Sequence, residues 1–380
     1  MRATALDTAH SEDLRAELAR AADELLACTL TRTEVRAEID RTGFSRAAWT
    51  AAAEAGWFEA ALPEEHGGLG LGLVEVGGIA RAVGRHLLPG PVADHAVALP
   101  LLVPQVPAPA RERLLSAIAG RRLTVLVDGA ASSAPRSARP QTTDGRITGT
   151  VDLVRFGAQA DDLLVVADGA NGSDSAASVV ALVAASAEGV TVTAQDSFDP
   201  ITCYATVALD AAPIDELLVV ASAEADHLVA HLRAVVRLFA AAETAGAVRS
   251  LLDMSVAHAL DREQFGKPIG SFQALQHLLA DTAASVLLLE AATADAFGRA
   301  TDPALIEPLS WQLKILAARV GRRVGEAALQ VHGGIAFTVE HDVHRAVEHI
   351  LALQGLYGDE RQLGRKLGRA LLRGDLEPWL

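Results

Sequence analysis

Asp261-Arg262-Glu263-Gln264-Phe265-Gly266-Lys267-Pro268-Ile269-Gly270-Ser271-Phe272-Gln273 separates two long alanine- and leucine-rich segments. Before it, Leu232 to Leu260 reads as one helix; after it, Ala274 to about Ala300 reads as another. Gly266, Pro268 and Gly270 keep the connection itself from being helical. An arginine, a phenyl ring and two side-chain amides (Gln264, Gln273) therefore sit on a short, stiff turn between helices. Arginine offers a fork of donors that matches phosphate oxygens. The free N–H groups at the start of the second helix would add to such an anion site. An ordinary helix–helix loop with a solvated arginine explains the same pattern, so at this point both readings stand.

Two further stretches break the tie. Gln330-Val331-His332-Gly333-Gly334-Ile335-Ala336-Phe337 follows some 60 residues later, and Leu62-Pro63-Glu64-Glu65-His66-Gly67-Gly68-Leu69-Gly70 lies near the front. The first stretch resembles the R-x-x-F-G-x-x-[IL]-x-x-F-Q flavin loop of the acyl-CoA dehydrogenases. The second resembles that family's Q-x-x-G-G-x-G-[FY] motif, and the third its P-E-x-x-G-G-x-G loop. They stand in the family's order and spacing, and together they span most of the chain. The resemblance implies an α+β fold in three parts: an all-helical N-terminal domain (1–120), a small middle β-barrel or sandwich (121–218) and a C-terminal four-helix bundle (219–380).

Composition agrees with a helical scaffold. The chain has 380 residues, half of them hydrophobic but only 4% aromatic, so the apolar load is alanine, leucine and valine. Such residues suit long helices packed closely. A net charge of −15 argues against a nucleic-acid partner, which needs a basic surface. Two cysteines, Cys28 and Cys203, allow neither a disulfide framework nor a zinc pattern, and a reducing cytoplasm is the expected location. The first 20 residues mix acids and bases and carry no signal-peptide core. Apolar runs look broken by charge or proline, so no membrane-spanning segment of the required ~20 residues is expected.

Read in order, helices are expected from about residue 11, over Phe44–Ala55 with Ser45 as N-cap, over Leu73–Arg85 and over Val92–Leu102. Short β-branched runs follow at 123–127, 146–154, 163–167, 179–183, 190–194 and 205–209. The alanine- and serine-rich piece 130–139 reads as a loop. Helical segments at 224–260, 274–299, 303–330 and 340–356 then make the antiparallel bundle, with a tail behind them.

The reaction implied by the resemblance is α,β-dehydrogenation of an acyl thioester, on CoA or a carrier protein, in lipid metabolism. It needs FAD, a carboxylate base and an acyl slot. The resemblance assigns Arg262, Phe265 and Gln273 to the FAD pyrophosphate and adenosine side. It assigns Gln330, Gly333 and Gly334 to a flavin held by a neighbouring subunit, which implies a homodimer, homotetramer or heterotetramer with a second chain of the family. An electron-accepting flavoprotein is the implied redox partner.

The chain departs from the family at three places. Asp128-Gly129-Ala130-Ala131-Ser132-Ser133 stands where active members have T-E-x-x-x-G-S-D, and Leu153-Val154-Arg155 where they have W-[IV]-[ST]. These changes remove expected contacts to the isoalloxazine. The base position of Y-E-G-T falls on Gly358 in Leu356-Tyr357-Gly358-Asp359-Glu360, and the alternative position falls on Val236. Glu243, among small apolar residues two turns beyond Val236 and about 10 Å along the same helix, is the remaining candidate base. Asp359, Glu360 or a partner's residue are the alternatives. For Glu243 the structural reading is an ion pair with an arginine such as Arg237 or Arg249. His341, His344 and Glu348 miss the spacing of a metalloenzyme motif, so no metal is expected. The leading expectation is an FAD-dependent acyl-CoA dehydrogenase. The alternatives are a half-site or non-catalytic subunit of a heteromeric one, or a flavoenzyme of this fold with altered chemistry.

Overall fold

The computed structural model describes residues 5–31, 33–131, 139–169, 177–199, 201–219, 222–338 and 341–376. Helices fill the first third. They are α1 (Ala5–Leu30), α2 (Thr33–Thr42), α3 (Arg46–Glu54), α4 (Leu73–His86), α5 (Leu99–Leu102) and α6 (Ala108–Ile118), with a π-turn at Asp94–Ala98 leading into α5. Ser45 caps α3 as expected, its hydroxyl accepting from the Ala48 N–H at 3.4 Å. Trp49 and Phe58, both buried, stack at 4.4 Å and close the core of this unit.

Strands run from Thr124 to Val219: β1 (Thr124–Asp128), β2 (Gln141–Thr143), β3 (Arg146–Arg155), β4 (Asp162–Gly169), β5 (Ser178–Ala184), β6 (Val190–Gln195), β7 (Tyr204–Pro213) and β8 (Glu216–Val219). They join in one sheet of order β6-β7-β3-β2-β4-β5-β8, with β1 paired to β4. β6 and β8 end this path, so the middle unit is an open sheet. β4 and β5 are buried almost throughout, which is why they read as unbroken apolar runs. β3 and β7 instead alternate between buried and accessible positions. The six expected strands are all present, and β2 and β8 are additional. The loop expected at 130–139 lies largely outside the described residues, as do Ser132 and Ser133.

The remaining helices are α7 (Ala223–Asp261), α8 (Gln273–Arg299), α9 (Pro303–His332), α10 (Val343–Gly355) and α11 (Glu360–Arg373). The middle of α7, from Ala234 to Val248, is buried on every side, so this helix is the axis of the molecule. α4 crosses it at backbone contact: a Cβ on Gly84 would lie 1.7 Å from the Glu243 carbonyl oxygen. One sequence expectation needs correction. α8 is long and apolar enough to cross a membrane by length and composition, because Ala and Leu dominate between its widely spaced acids. Only 22% of that window is buried in the molecule.

Candidate active site and cofactor half-site

The three departures from the family pattern converge on one chamber. Asp128 from the end of β1, Leu153, Val154 and Arg155 from β3, Val236 from α7, and Leu356 and Tyr357 after α10 line it together with Asp94. Its cavity volume is about 20 Å³. That is room for about one water, where ligand pockets run to roughly 300–1,000 Å³. The chain's own side chains fill the rest. Arg233 of α7 grips Asp128 with both guanidinium arms, at 2.6 and 2.7 Å, and the Asp128 carboxylate is fully buried. Arg155 projects from β3 toward α7 and ends 3.7 Å from Glu243. These residues do not fit an isoalloxazine in this chamber.

Glu243 itself does not line the chamber. It is 2% exposed and accepts a 2.9 Å hydrogen bond from His349 Nε2. The other ring nitrogen of His349 donates to Asp199, also at 2.9 Å. Burial alone would raise the Glu243 pKa, but the Arg155 charge and the His349 hydrogen bond outweigh it and leave it below the ordinary value. Burial would lower the His349 pKa, and the two carboxylates, Asp199 foremost, push it up to about 9. The pattern is a charged clamp between β3, α7, α10 and the segment before β7. The sequence named Arg237 and Arg249 as pairing partners, and the structure uses neither. Arg249 is bound to Glu290 at 2.7 and 2.9 Å, and Arg237 donates to the Tyr357 carbonyl at 2.8 Å.

The other candidate bases also have structural tasks. Asp359 is the N-cap of α11, accepting from the Gln362 N–H at 2.7 Å within a capping box. Glu360 pairs with Arg319 at 2.8 Å. Gly358 has φ 111°, and a Cβ there would sit 2.9 Å from the Leu363 side chain, so a glutamate at that position would be strained.

The flavin-side candidates are arranged in the opposite way: all are open to solvent. β9 (Glu263–Gln264) and β10 (Lys267–Pro268) form a miniature hairpin whose two turn residues, Phe265 and Gly266, have φ 55° and 77°. Positive φ at both positions is the geometry of a type I′ turn, which holds Phe265 92% exposed at the tip. Arg262 and Gln273 flank the hairpin, both exposed, and the Arg262 guanidinium has no ion-pair partner among the described residues. Gln330, Gly333, Gly334 and Phe337 line an open hollow of about 450 Å³ at the end of α9.

Sequence reasoning missed Asp94, which lines the chamber, accepts from the Leu126 N–H at 3.0 Å, and has a pKa pushed by burial to about 6. It also missed His349 and Asp199 as partners of Glu243. Asp199 lies in a loop, and the signal for His349 was only a histidine in an otherwise apolar helix face.

Comparison with known proteins gives one consistent answer. Family models described as acyl-CoA dehydrogenase, N-terminal domain, and acyl-CoA dehydrogenase, C-terminal domain, match residues 8–118 and 230–372. Acyl-CoA dehydrogenase FadE27 of Mycobacterium tuberculosis is 32% identical over 339 residues, 85% of this chain and 88% of the relative. Among solved structures, the ChsE4–ChsE5 complex from Mycobacterium tuberculosis superposes with a TM-score of 0.84 at 28% identity, covering 96% of this chain and 98% of that one. A Tcur3481–Tcur3483 steroid ACAD variant superposes with a TM-score of 0.83 at 25% identity, covering 96% and 99%.

Proposed function

The chain belongs to the acyl-CoA dehydrogenase family, and on that premise we propose that it is the half-site subunit of a heteromeric, FAD-dependent acyl-CoA dehydrogenase. The observation that carries this reading is the chamber of about 20 Å³, packed with the chain's own Asp128–Arg233 pair and Arg155. Of the bases the sequence proposed, Glu243, Asp359 and Glu360, none lines it. The residues that the resemblance assigns to a neighbour's flavin are, by contrast, exposed, with Ala336 where the family motif has its third glycine. In this reading Arg262 faces the cofactor's pyrophosphate, Phe265 and Gln273 bracket its adenosine side, and Gly333 and Gly334 let the backbone come close. FAD, when bound to the partner, supplies the hydride acceptor, and the partner supplies the base and the acyl slot. The substrate is an acyl thioester. The steroid enzyme among the structural neighbours makes a sterol-derived acyl group the first to try, with an electron-transferring flavoprotein as oxidant.

A second reading, a complete dehydrogenase, has Asp94 in its favour: a carboxylate in the chamber with a pKa near the range of a working base. One experiment separates the two. The visible spectrum of the chain is recorded alone with added FAD, and again after co-purification with a partner of the same family. The half-site reading expects no bound flavin alone and about one per heterodimer in the complex, lowered by Arg262→Ala in this chain. Flavin bound by the chain alone, bleached by an acyl-CoA and not bleached in Asp94→Asn, would establish the second reading instead.

A further inference from the structure

Three histidines meet under the two segments that present the cofactor half-site. His258 lies in the last turn of α7, four residues before Arg262. His332 ends α9, next to Gly333. His341 lies between the Gly333–Phe337 turn and α10. The His258 and His332 rings stack at 4.5 Å with 28° between their planes, and His341 meets His332 edge-on at 4.9 Å. His332 is 6% exposed, and its Nδ1 donates to the Ala328 carbonyl at 2.8 Å. Its Nε2 is buried without a hydrogen-bond partner. The ring nitrogens do not converge on a common point, and no group of metal-binding side chains occurs among the described residues. The cluster is a joint of stacked rings, which no sequence motif announced: His341 had drawn notice only as a metal candidate.

We infer that His332, held between His258 and His341, is the positioning residue of the half-site and makes its presentation pH-dependent. The purpose rests on the half-site reading; the joint itself does not. Neutral rings stack favourably and fix the end of α7 against the end of α9, and so set the β9–β10 hairpin relative to the Gly333–Phe337 turn. A proton on the buried Nε2 of His332 would be desolvated and would face like charge, which together outweigh the favourable pull of the Ala328 and Met254 backbone. On the α7 side it meets His258, which itself lies near Arg262 and Asp261. On the α10 side it meets His341, whose carbonyl is bonded to His344 at 2.6 Å and which precedes the Asp342–Arg345 pair at 3.9 Å. Burial first, then these neighbours, keep His332 and His258 below the usual imidazole value of 6.5. A depressed pKa fixes the sign. The joint is intact above about pH 6.5, and acidification below that value favours the opened form, which takes up the proton first.

Hydrogen exchange of the isolated chain at pH 8 and pH 5.5, corrected for the intrinsic pH dependence of exchange, tests this without flavin or partner. In the wild type, protection of residues 263–273 and 333–338 should fall at the lower pH, by up to about tenfold, the most that one pH unit below the ordinary imidazole value can supply. In His332→Gln, which cannot take up that proton, the fall should shrink in both segments to the share left by His258. Equal protection at both pH values in the wild type, or the same fall in the variant, overturns the inference. If His332→Gln does not fold, His258→Phe carries the test. It keeps a stacked ring and removes one repelling charge, so the transition should move to lower pH, and an unmoved midpoint counts against the joint. Failure of the co-purified partner complex to hold flavin, alongside a positive exchange result, would discard the half-site reading while leaving the joint in place.

Discussion

The buried imidazolium His349, between Glu243 and Asp199, decides how the cluster behaves as pH changes. Its pKa is raised to about 9 from an ordinary 6.5, so the folded state holds the proton more tightly than the unfolded chain. The stability it contributes is therefore full below pH 6.5 and is lost as pH rises toward 9. Its two carboxylate partners run the other way. Their pKa values are lowered from 3.8 and 4.5, so their share is present above those values and is lost in acid. Thermal unfolding followed from pH 6 to 9.5 should show Tm falling from about pH 6.5 until about pH 9, and His349→Gln should flatten that slope. Glu243→Gln should cost about 3–5 kcal/mol in denaturant unfolding, because it strips a buried charge of its counter-charge. If this variant left stability unchanged while altering turnover of the assembled enzyme, Glu243 would be a catalytic group after all. Burial of Glu243 was legible in the sequence, from the small apolar residues around it. Its partners were not, because His349 lies 106 residues away. Spacing along a helix carries no record of which distant loop folds onto it.

At the scale of elements, the long helices were legible because their apolar residues repeat with helical period, and the buried strands because β-branched runs are interrupted by turns. β2 was not: Gln141-Thr142-Thr143 is three residues, polar and partly exposed, and exists only because β3 and β4 offer it hydrogen bonds. The contact of α4 with α7 also has no local signature. Gly84 lies against the Glu243 carbonyl, and a Cβ on Gly246 would lie 1.9 Å from the Arg81 carbonyl. These two glycines let the helix backbones touch where larger residues would hold them apart. Ala has the higher intrinsic helix propensity, so a free helix would gain about 1 kcal/mol from Gly84→Ala. Here the added methyl meets backbone, and the net effect should be a loss of about 1–3 kcal/mol or more. Chemical denaturation of Gly84→Ala decides the sign. A stabilised variant would mean that the crossing is looser than this geometry. The hairpin tip should behave oppositely: Phe265→Ala touches no core and should change stability by less than about 0.5 kcal/mol, while lowering flavin retention in the complex.

For the whole molecule, the telling feature is what is left uncovered. The outer face of α8 carries Gln273, Ala280, Ala284, Leu287, Leu288, Ala291 and Ala294, all exposed, with Leu287 at 58% and Leu288 at 57%. A stripe of alanine and leucine facing water along one helix is costly for a protein that stays alone. It starts at Gln273, one of the residues assigned to the cofactor half-site, so the same face that would meet a neighbour would also deliver that amide. A membrane is the other way to cover such a helix. The two differ in what a pair of added charges does. Leu287→Asp together with Leu288→Asp leaves the folded chain intact, since both side chains already face solvent. Against a partner subunit it removes two buried leucines at roughly 1.5 kcal/mol or more each, so association should weaken by at least about a hundredfold. Sedimentation of the chain with its co-purified partner, with and without the two substitutions, reads this directly. Flavin content should fall in step with assembly, because the chain's own chamber offers the cofactor no alternative place. Unchanged sedimentation, with wild-type but not variant chain floating with lipid vesicles, would assign the stripe to a membrane and leave the flavin-facing hairpin without a neighbour to serve.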